Sequence, residues 1–225
     1  LHVQLLARAP CRREDLSRPF PTREHKLRRG LDDRKTAIGT DRAKSLVERA
    51  VSLTREGVRV HTLAGGNRRF LYAGRMSLVS TSRPADSVIR LSLDRREKKN
   101  ALSIALRDAI SDALDRLRDD ASVKVVVITG GEGIFSAGFD LGEFQKCAEP
   151  EFAKTLWASS DRYHRTLLEF PLPTIAAVDG PALGGGFDTA VLCDLRVISS
   201  RARFGDPEAA FSDVVYTPLH DLVGG

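Results

Sequence analysis

The sequence predicts an α/β fold, and three observations in the second part of the chain support this prediction. A strand is expected over Val123–Thr129, because Val125–Thr129 is a run of β-branched residues typical of a buried strand. Apolar side chains recur every three or four residues over Ile104–Leu117, which indicates an amphipathic helix. Before it, Val88–Leu93 alternates as a strand does. A strand, a helix and a strand in this order are typical of parallel strands joined by a crossover.

The remaining elements follow from the same kinds of pattern. Ser103 is the expected N-cap of the first helix, because its hydroxyl can accept a hydrogen bond from a free backbone amide. Glu151–Glu169 predicts a longer helix, which ends before Pro171. Three shorter segments also have the composition of regular elements: the strands Thr174–Val178 and Leu195–Ser199, and the helix-like Phe187–Cys193.

Charge divides the chain into two parts. Residues 1–75 carry 18 Lys and Arg against 8 Asp and Glu, whereas the other 150 residues carry 17 against 22. Such an asymmetry predicts a boundary, with a basic N-terminal extension over residues 1–75 and a folded domain over residues 76–225. The extension is interpreted as a disordered tail, a targeting segment, or translated sequence upstream of the native start. We favour the third interpretation, because Met76 is the only methionine.

Several function classes are disfavoured by the sequence. No apolar run approaches the length of a membrane span. The cysteines Cys11, Cys147 and Cys193 have neither disulfide nor metal-ligand spacing, which fits a reducing, cytoplasmic location. Cys193 lies in an apolar run and is expected to be a buried, inert thiol. His164 is expected to be a surface or hydrogen-bonded residue on a helix face. Nucleotide hydrolysis is disfavoured, because the glycine run Gly184–Gly186 lacks the Lys-Ser/Thr of a P-loop.

Two glycine-containing turns carry the candidate chemistry. The run Gly184–Gly186 leads directly into a helix-like segment, and the first amides of a helix lack internal partners and lie at the positive end of its dipole. A second turn, around Gly138, follows the strand that ends at Thr129. Backbone amides from two such loops can together hold one oxygen that becomes negatively charged during a reaction.

Five motifs follow one another along the chain: Lys99–Leu102, Phe135–Leu141, Pro173–Gly180, Ala182–Asp188 and Phe204–Glu208. With them, residues 86–225 resemble the N-terminal part of the crotonase (enoyl-CoA hydratase/isomerase) family. The resemblance implies a spiral of ββα units with two nearly perpendicular sheets, and a C-terminal helical part that is missing here. We therefore expect the isolated chain to be inactive or poorly folded, and the full-length protein to be a trimer or hexamer.

The resemblance also implies roles for individual residues. The oxyanion donors are the backbone amides of Phe139 and Gly185, and the acid/base carboxylates are those of Asp188 and Glu208. Aspartate at position 188 departs from the glutamate usual in hydratases, and the loss of one methylene displaces the base. Isomerisation or another enolate reaction therefore stays open beside hydration. Residues expected at the coenzyme A site are Lys99, Ala137, Asp140 and Leu141.

The predicted function is that of an acyl-CoA thioester enzyme of fatty acid metabolism, with lyase or isomerase activity. Coenzyme A enters as part of the substrate, and neither a further cofactor nor a metal ion is expected. One alternative is a crotonase-like RNA-binding protein, because arginine-rich tails bind phosphates. Few aromatic residues interleave with these arginines, so nucleic acid is a less favoured partner. The other alternative is an inactive, truncated homologue.

Overall fold

The computed structural model describes residues 77–207, and the structural statements below refer to this part of the chain. The predictions for residues 1–75, Met76 and Glu208 lie outside the described residues. The strands are β1 (Val79–Ala85), β2 (Val88–Leu93), β3 (Val125–Thr129), β4 (Thr174–Val178), β5 (Pro181–Leu183), β6 (Leu195–Ile198) and β7 (Arg203–Gly205). The helices are α1 (Ile104–Leu117), α2 (Leu141–Phe144), α3 (Pro150–Leu168) and α4 (Gly185–Leu192), and a 3₁₀ turn covers Arg96–Lys98.

Five strands form a mixed sheet in the order β1, β2, β3, β4, β6. The first pair is antiparallel, and the other neighbours are parallel. The register places Leu91 beside Ile128, and Ile128 beside Ala176. The predicted order of strand, helix and parallel strand is therefore confirmed for β2, α1 and β3. The carboxyl ends of these parallel strands lie along one edge, where the loops of the candidate site begin.

The core lies between one face of this sheet and the helices α1 and α3, which pack against each other. Leu106, Ile110 and Leu114 of α1 are fully buried there. Burial of each such side chain stabilises the fold by about 2 kcal/mol. On the opposite face of the sheet, a smaller apolar cluster contains Val88, Val125, Val127 and Ile175. Both faces of the central strands are thus buried, as a continuous β-branched run predicts.

The predicted boundaries agree closely for the longer elements. Helix α1 has the predicted bounds, and the hydroxyl of Ser103 accepts a hydrogen bond from the amide of Leu106, as expected of an N-cap. Strand β4 also has the predicted bounds, and α3 is shifted by one residue. The sequence did not indicate β1, because Val79–Ala85 is mostly polar and contains Pro84. An edge strand tolerates such a composition, since one side of it pairs with no other strand.

Two further strands of three residues were also not predicted. Strands β5 and β7 form a separate two-stranded parallel sheet. The amide of Gly184, directly after β5, donates to the carbonyl of Gly205 in β7. This pairing fixes the position at which α4 begins. Helix α4 begins at Gly185, two residues before the predicted start at Phe187.

Candidate active site

Two loops after neighbouring strands run side by side. The first loop covers residues 130–140 after β3, and the second covers residues 179–184 after β4 and includes β5. The amides of Phe135 and Ser136 donate to the carbonyl of Pro181 at 2.9 and 3.1 Å. The amide of Leu183 returns a hydrogen bond to the carbonyl of Ser136 at 3.0 Å. The two glycine turns of the sequence analysis therefore meet in the structure.

Gly138 lies at a close approach between the two loops. Its φ is +91°, a conformation that glycine adopts more easily than other residues. A Cβ atom at this position would lie 2.6 Å from the carbonyl oxygen of Leu183 and 3.4 Å from the amide nitrogen of Gly185. The backbone before Phe139 and the start of α4 are therefore packed together without room for a side chain.

The amides of Phe139 and Gly185, the two predicted oxyanion donors, have similar surroundings. Leu102 donates to the carbonyl of Gly138 and accepts from the amide of Asp140, so it occupies one side of this backbone. In such a parallel bridge the amide of the intervening residue, Phe139, points to the opposite side. Gly185 is the first residue of α4, where an amide has no intrahelical acceptor. Neither amide donates to another group within residues 77–207.

The ring of Phe139 packs against the start of α4. A Cβ atom on Gly185 would lie 2.8 to 3.0 Å from three carbon atoms of this ring. The ring also contacts Phe144 and His164, with centroid separations of 5.9 Å in both cases. Gly185 is therefore required by contact, and the bulk of Phe139 is accommodated among aromatic side chains.

The carbonyl end of Gly185 is held by a buried chain of hydroxyl groups. The hydroxyl of Thr189 donates to the carbonyl of Gly185 at 2.7 Å, and the hydroxyl of Tyr163 lies 2.6 Å from that of Thr189. Since Thr189 uses its proton on Gly185, Tyr163 is the donor in the second bond. Burial raises the pKa of Tyr163, so its hydroxyl stays protonated. Helix α3 thereby fixes the first turn of α4.

Asn100 organises the base of the first loop, and sequence reasoning assigned it no role. The side chain is fully buried, and its amide group donates to the carbonyls of Gly130 and Phe135 at 2.9 and 3.1 Å. Its side-chain oxygen accepts from the amide of Arg95 at 3.0 Å, and its own carbonyl accepts from the hydroxyl of Ser136 at 2.8 Å. Asn100 therefore joins the turn after β2 to two parts of the first loop, its start at Gly130 and the residues Phe135 and Ser136.

The residues predicted to bind coenzyme A lie around this same turn. The carbonyl of Lys99 accepts from the amide of Ala137 at 3.0 Å, while the Lys99 side chain is exposed. Leu141 begins α2 and is 70% exposed, which is unusual for a large apolar side chain. Asp140 caps α2, because its carboxylate accepts from the amide of Gly142. The four residues are therefore adjacent, with an apolar and a cationic side chain open to solvent.

The carboxylate of Asp140 is committed to an ion pair. Its Oδ2 lies 2.6 Å from Nη1 of Arg95, and both side chains are largely shielded from solvent. Burial acts to raise the pKa of Asp140, but the hydrogen bond from Arg95, the amides of Gly142 and Glu143 and the Arg95 charge outweigh it. The pKa therefore lies below its ordinary value, so the carboxylate stabilises the fold in its ionised form.

We expect Asp140→Asn to lower the free energy of unfolding by about 2 kcal/mol at neutral pH, since it removes a charged hydrogen-bond acceptor. Because the pKa is lowered in the folded state, the stabilisation is present above the unfolded value near ~4 and is lost as the pH falls towards the folded value. Urea unfolding at several pH values measures the difference. A difference that does not shrink at acidic pH would contradict the ion pair. In a double variant Arg95→Met should cost less than it does alone, and its remaining cost reflects the lost hydrogen bond from Arg95 to the carbonyl of Ala101.

Of the two predicted acid/base residues, the structure describes Asp188 but not Glu208. Asp188 lies in the first turn of α4 and is half-buried, and its amide donates to the carbonyl of Gly184 at 3.0 Å. Its negative charge acts on the neighbouring Tyr163 and contributes to the raised pKa of that hydroxyl after burial, the main cause. Glu208 lies outside the described residues. The carboxylate of Asp188 is therefore on the helix turn that carries one candidate donor.

The other candidate residues agree with the sequence analysis in part. Cys193 is buried, as predicted. His164 is half-buried and lies 2.8 Å from the carbonyl of Ser160, so it is a hydrogen-bonded residue rather than a solvated one. Within residues 77–207 no cluster of His, Cys, Asp and Glu side chains could hold a metal ion. None of the helices in this part of the chain is long and apolar enough to cross a membrane.

Comparison with known proteins places this chain in a family. The family model described as enoyl-CoA hydratase/isomerase matches residues 83–214, which is more than half of the chain. The 2,3-dehydroadipyl-CoA hydratase of Escherichia coli is 42% identical over 121 residues, which cover 54% of this chain and 46% of that protein. The mitochondrial methylglutaconyl-CoA hydratase of Mus musculus is 39% identical over 139 residues, which cover 61% and 41%. This chain spans about half the length of the curated relatives that it matches.

Solved structures agree with the sequence comparison. An enoyl-CoA hydratase/carnitine racemase from Magnetospirillum magneticum superposes with a TM-score of 0.60 and 28% identity, covering 68% of this chain and 58% of that one. OdaA of Pseudomonas aeruginosa superposes with a TM-score of 0.53 and 37% identity, covering 59% and 51%. The α/β arrangement with two sheets is therefore that of the crotonase structures. By its sequence and its fold, the chain belongs to the enoyl-CoA hydratase/isomerase family.

Proposed function

We propose that this chain forms the part of an acyl-CoA enzyme that stabilises a negatively charged thioester oxygen. The amides of Phe139 and Gly185 are the proposed donors. One observation carries the proposal: a Cβ atom on Gly138 would touch both the carbonyl of Leu183 and the amide of Gly185. The peptide that precedes Phe139 is therefore packed on the first residue of α4, which supports the pairing of these two donors.

The proposed chemistry follows from the charge that develops on a thioester. When a base removes a proton from the α-carbon, the electron pair moves into the thioester and negative charge collects on its oxygen. Two fixed amides lower the energy of that enolate, and loss of one such donor typically costs about 3 to 4 kcal/mol. The N-terminal end of α4 adds a favourable dipole at Gly185. Both donors belong to the backbone, so the side chain of Phe139 is free to pack inward.

Asp188 and Glu208 are the proposed acid/base pair. One carboxylate takes a proton from water or from the acyl chain, and the other delivers a proton to the enolate carbon. Aspartate is shorter than glutamate by one methylene, and a displacement of about 1 Å can change a rate about a hundredfold. This favours an isomerase or a related enolate reaction over simple hydration. The support from the structure is that Asp188 lies one helical turn after Gly185.

Coenzyme A is proposed to lie across the surface formed by Lys99, in the turn after β2, and Leu141, at the start of α2. The exposed Lys99 side chain can reach a phosphate, and the exposed Leu141 can cover the apolar part of the cofactor moiety. Asp140 is engaged by Arg95, so its proposed contribution, like that of Ala137, comes from the backbone. In this proposal Lys99 contributes a positive charge, while Ala137, Asp140 and Leu141 give the coenzyme A surface its shape.

The larger assembly is also proposed on family grounds. We infer the spiral ββα arrangement, in which β5 and β7 belong to a second sheet nearly perpendicular to the first, and a trimer or hexamer for the complete protein. The cytoplasmic location inferred from the cysteines stays a prediction. Several relatives, among them those from Bos taurus and Mus musculus, are named as mitochondrial.

We expect Glu208→Gln and Asp188→Asn each to lower turnover of an acyl-CoA in the complete protein by about a hundredfold or more, because each removes a proton-transfer group. Binding of coenzyme A should stay within about threefold, since neither change alters the proposed cofactor contacts. Steady-state assays over a panel of 2-enoyl and 3-enoyl thioesters measure both, and the preferred substrate distinguishes hydration from isomerisation.

Asp112→Asn is the matched control, because Asp112 is an exposed carboxylate on α1. Its turnover should equal that of the unmodified protein. Turnover near the unmodified level in the Glu208 variant would exclude that residue from proton transfer. Absence of turnover with every thioester in the panel would contradict the proposed function as a whole.

A further inference from the structure

Arg107 is a buried cation that the proposed mechanism leaves unused. It lies on α1, is 1% exposed and is the largest of the fully buried side chains. No salt bridge joins it to a carboxylate within residues 77–207. Burial lowers its pKa, and the negative charges of Glu143, Asp108 and Asp140 partly oppose this effect. A guanidinium stays charged in proteins, so this position holds a nearly dehydrated positive charge.

Hydrogen bonds from three directions hold the guanidinium in place. Nη1 donates to the carbonyl of Leu102 at 2.9 Å. Nε and Nη2 donate to the hydroxyl of Ser159 and the carbonyl of Leu156, both at 3.3 Å. These last two acceptors belong to α3, so Arg107 joins α1 and α3 through a fixed fork. Removal of a charge from water is costly, and such a position is stable only when its donors are satisfied.

The same guanidinium contacts the ring of Phe139 and the carbonyl of Leu102. Its carbon atom Cζ lies 5.2 Å from the centre of the Phe139 ring, which is a cation–π distance. Leu102, whose carbonyl it binds, is hydrogen-bonded to the carbonyl of Gly138 and the amide of Asp140. Arg107 is therefore in contact with the Phe139 ring and, through Leu102, is linked to the residues on either side of Phe139. The ring in turn packs against Gly185.

We propose that Arg107 is a positioning residue for the oxyanion site. It orients the amide of Phe139 through Leu102 and holds the Phe139 ring against Gly185. Its fixed charge also makes the surroundings of the thioester oxygen more favourable to negative charge. This role rests on the proposed function, because it has meaning only if the two amides bind a thioester oxygen.

The test uses acetoacetyl-CoA, a thioester whose enolate absorbs in the near ultraviolet, bound to the complete protein. In the unmodified protein we expect the enolate band on binding. In Arg107→Gln we expect the enolate fraction at saturation to fall by about tenfold or more, since the donor is misplaced and the charge is lost. The Kd of free coenzyme A should change by less than about threefold, because Arg107 is buried and its side chain cannot touch a ligand on the surface.

Arg162→Gln is the matched control. Arg162 also joins the two helices, through Asp112 and Asp115 on α1, but it is exposed and has no contact with Phe139. Its variant should keep the full enolate band. Arg107→Lys serves if the glutamine variant does not fold, and it should show a reduced band because an ammonium group keeps the charge without the fork.

The outcomes of this test distinguish the positioning role of Arg107 from the proposed function of the site. A full enolate band in Arg107→Gln or Arg107→Lys, together with a lower melting temperature, would show that Arg107 only stabilises the fold and would overturn the proposal. An equal loss in Arg162→Gln would also overturn it. Absence of the band in the unmodified protein would contradict the proposed function itself, and the positioning role with it.

Discussion

Replacement of Gly138 by alanine is expected to lower acyl-CoA turnover in the complete protein by about a hundredfold or more, because the methyl group displaces one oxyanion donor from the other. A Cβ atom would lie 2.6 Å from the carbonyl oxygen of Leu183, which is a clash with backbone and not with a movable side chain. The loops must separate to relieve it. Steady-state kinetics with the preferred thioester and a thermal melt of the same sample measure the effect.

Gly133→Ala separates this clash from simple backbone strain. Gly133 has a φ of +79°, close to the +91° of Gly138, but a Cβ atom there would meet nothing within 4 Å. Both variants carry the cost of about 1 to 2 kcal/mol for a left-handed alanine. Only the Gly138 variant should lose turnover. Equal kinetics in the two variants would mean that the close approach of the loops has no catalytic role.

Replacement of Asn100 by alanine is expected to lower the free energy of unfolding by about 3 to 5 kcal/mol, since it leaves several buried polar groups without partners. The carbonyls of Gly130 and Phe135 lose their donor, and the amide of Arg95 loses its acceptor. Asparagine also tolerates the left-handed φ of +52° at this position better than most residues do. Urea unfolding monitored by circular dichroism gives the difference.

Lys99→Ala is the matched control for Asn100. Lys99 has a φ of +51°, but its side chain is exposed. Its replacement should therefore change stability by about 0.5 kcal/mol or less. A loss of similar size in the two variants would mean that the hydrogen bonds of Asn100 contribute little to the stability of the first loop.

The parts of the fold that could be predicted are those with a local signal. Helix α1 was predicted with its bounds because its apolar period and its Ser103 cap both lie in the sequence. Strand β1 was not, because an edge strand with a proline has no clear apolar alternation. The short strands β5 and β7 have three residues each, too few for any period to appear.

In the candidate site, too, only the features with a local sequence signal could be predicted. The glycine turns could be found from sequence, but their contact at Gly138 depends on the parallel order of β3 and β4. Asn100 and Arg107 carried no local signal, because polar residues in a charged turn or on a helix are usually exposed. Both are buried with partners from distant parts of the chain, the carbonyl of Gly130 for Asn100 and that of Leu156 for Arg107. Such partners come from the tertiary structure alone.

The central claim is that the amides of Phe139 and Gly185 bind the same thioester oxygen. A crystal structure of the complete protein with an unreactive acyl-CoA thioester tests it most directly. The account predicts that both nitrogens lie about 2.7 to 3.1 Å from that oxygen, with both N–H bonds directed at it. A thioester oxygen that contacts only one of them, or that points away from both, would contradict the account.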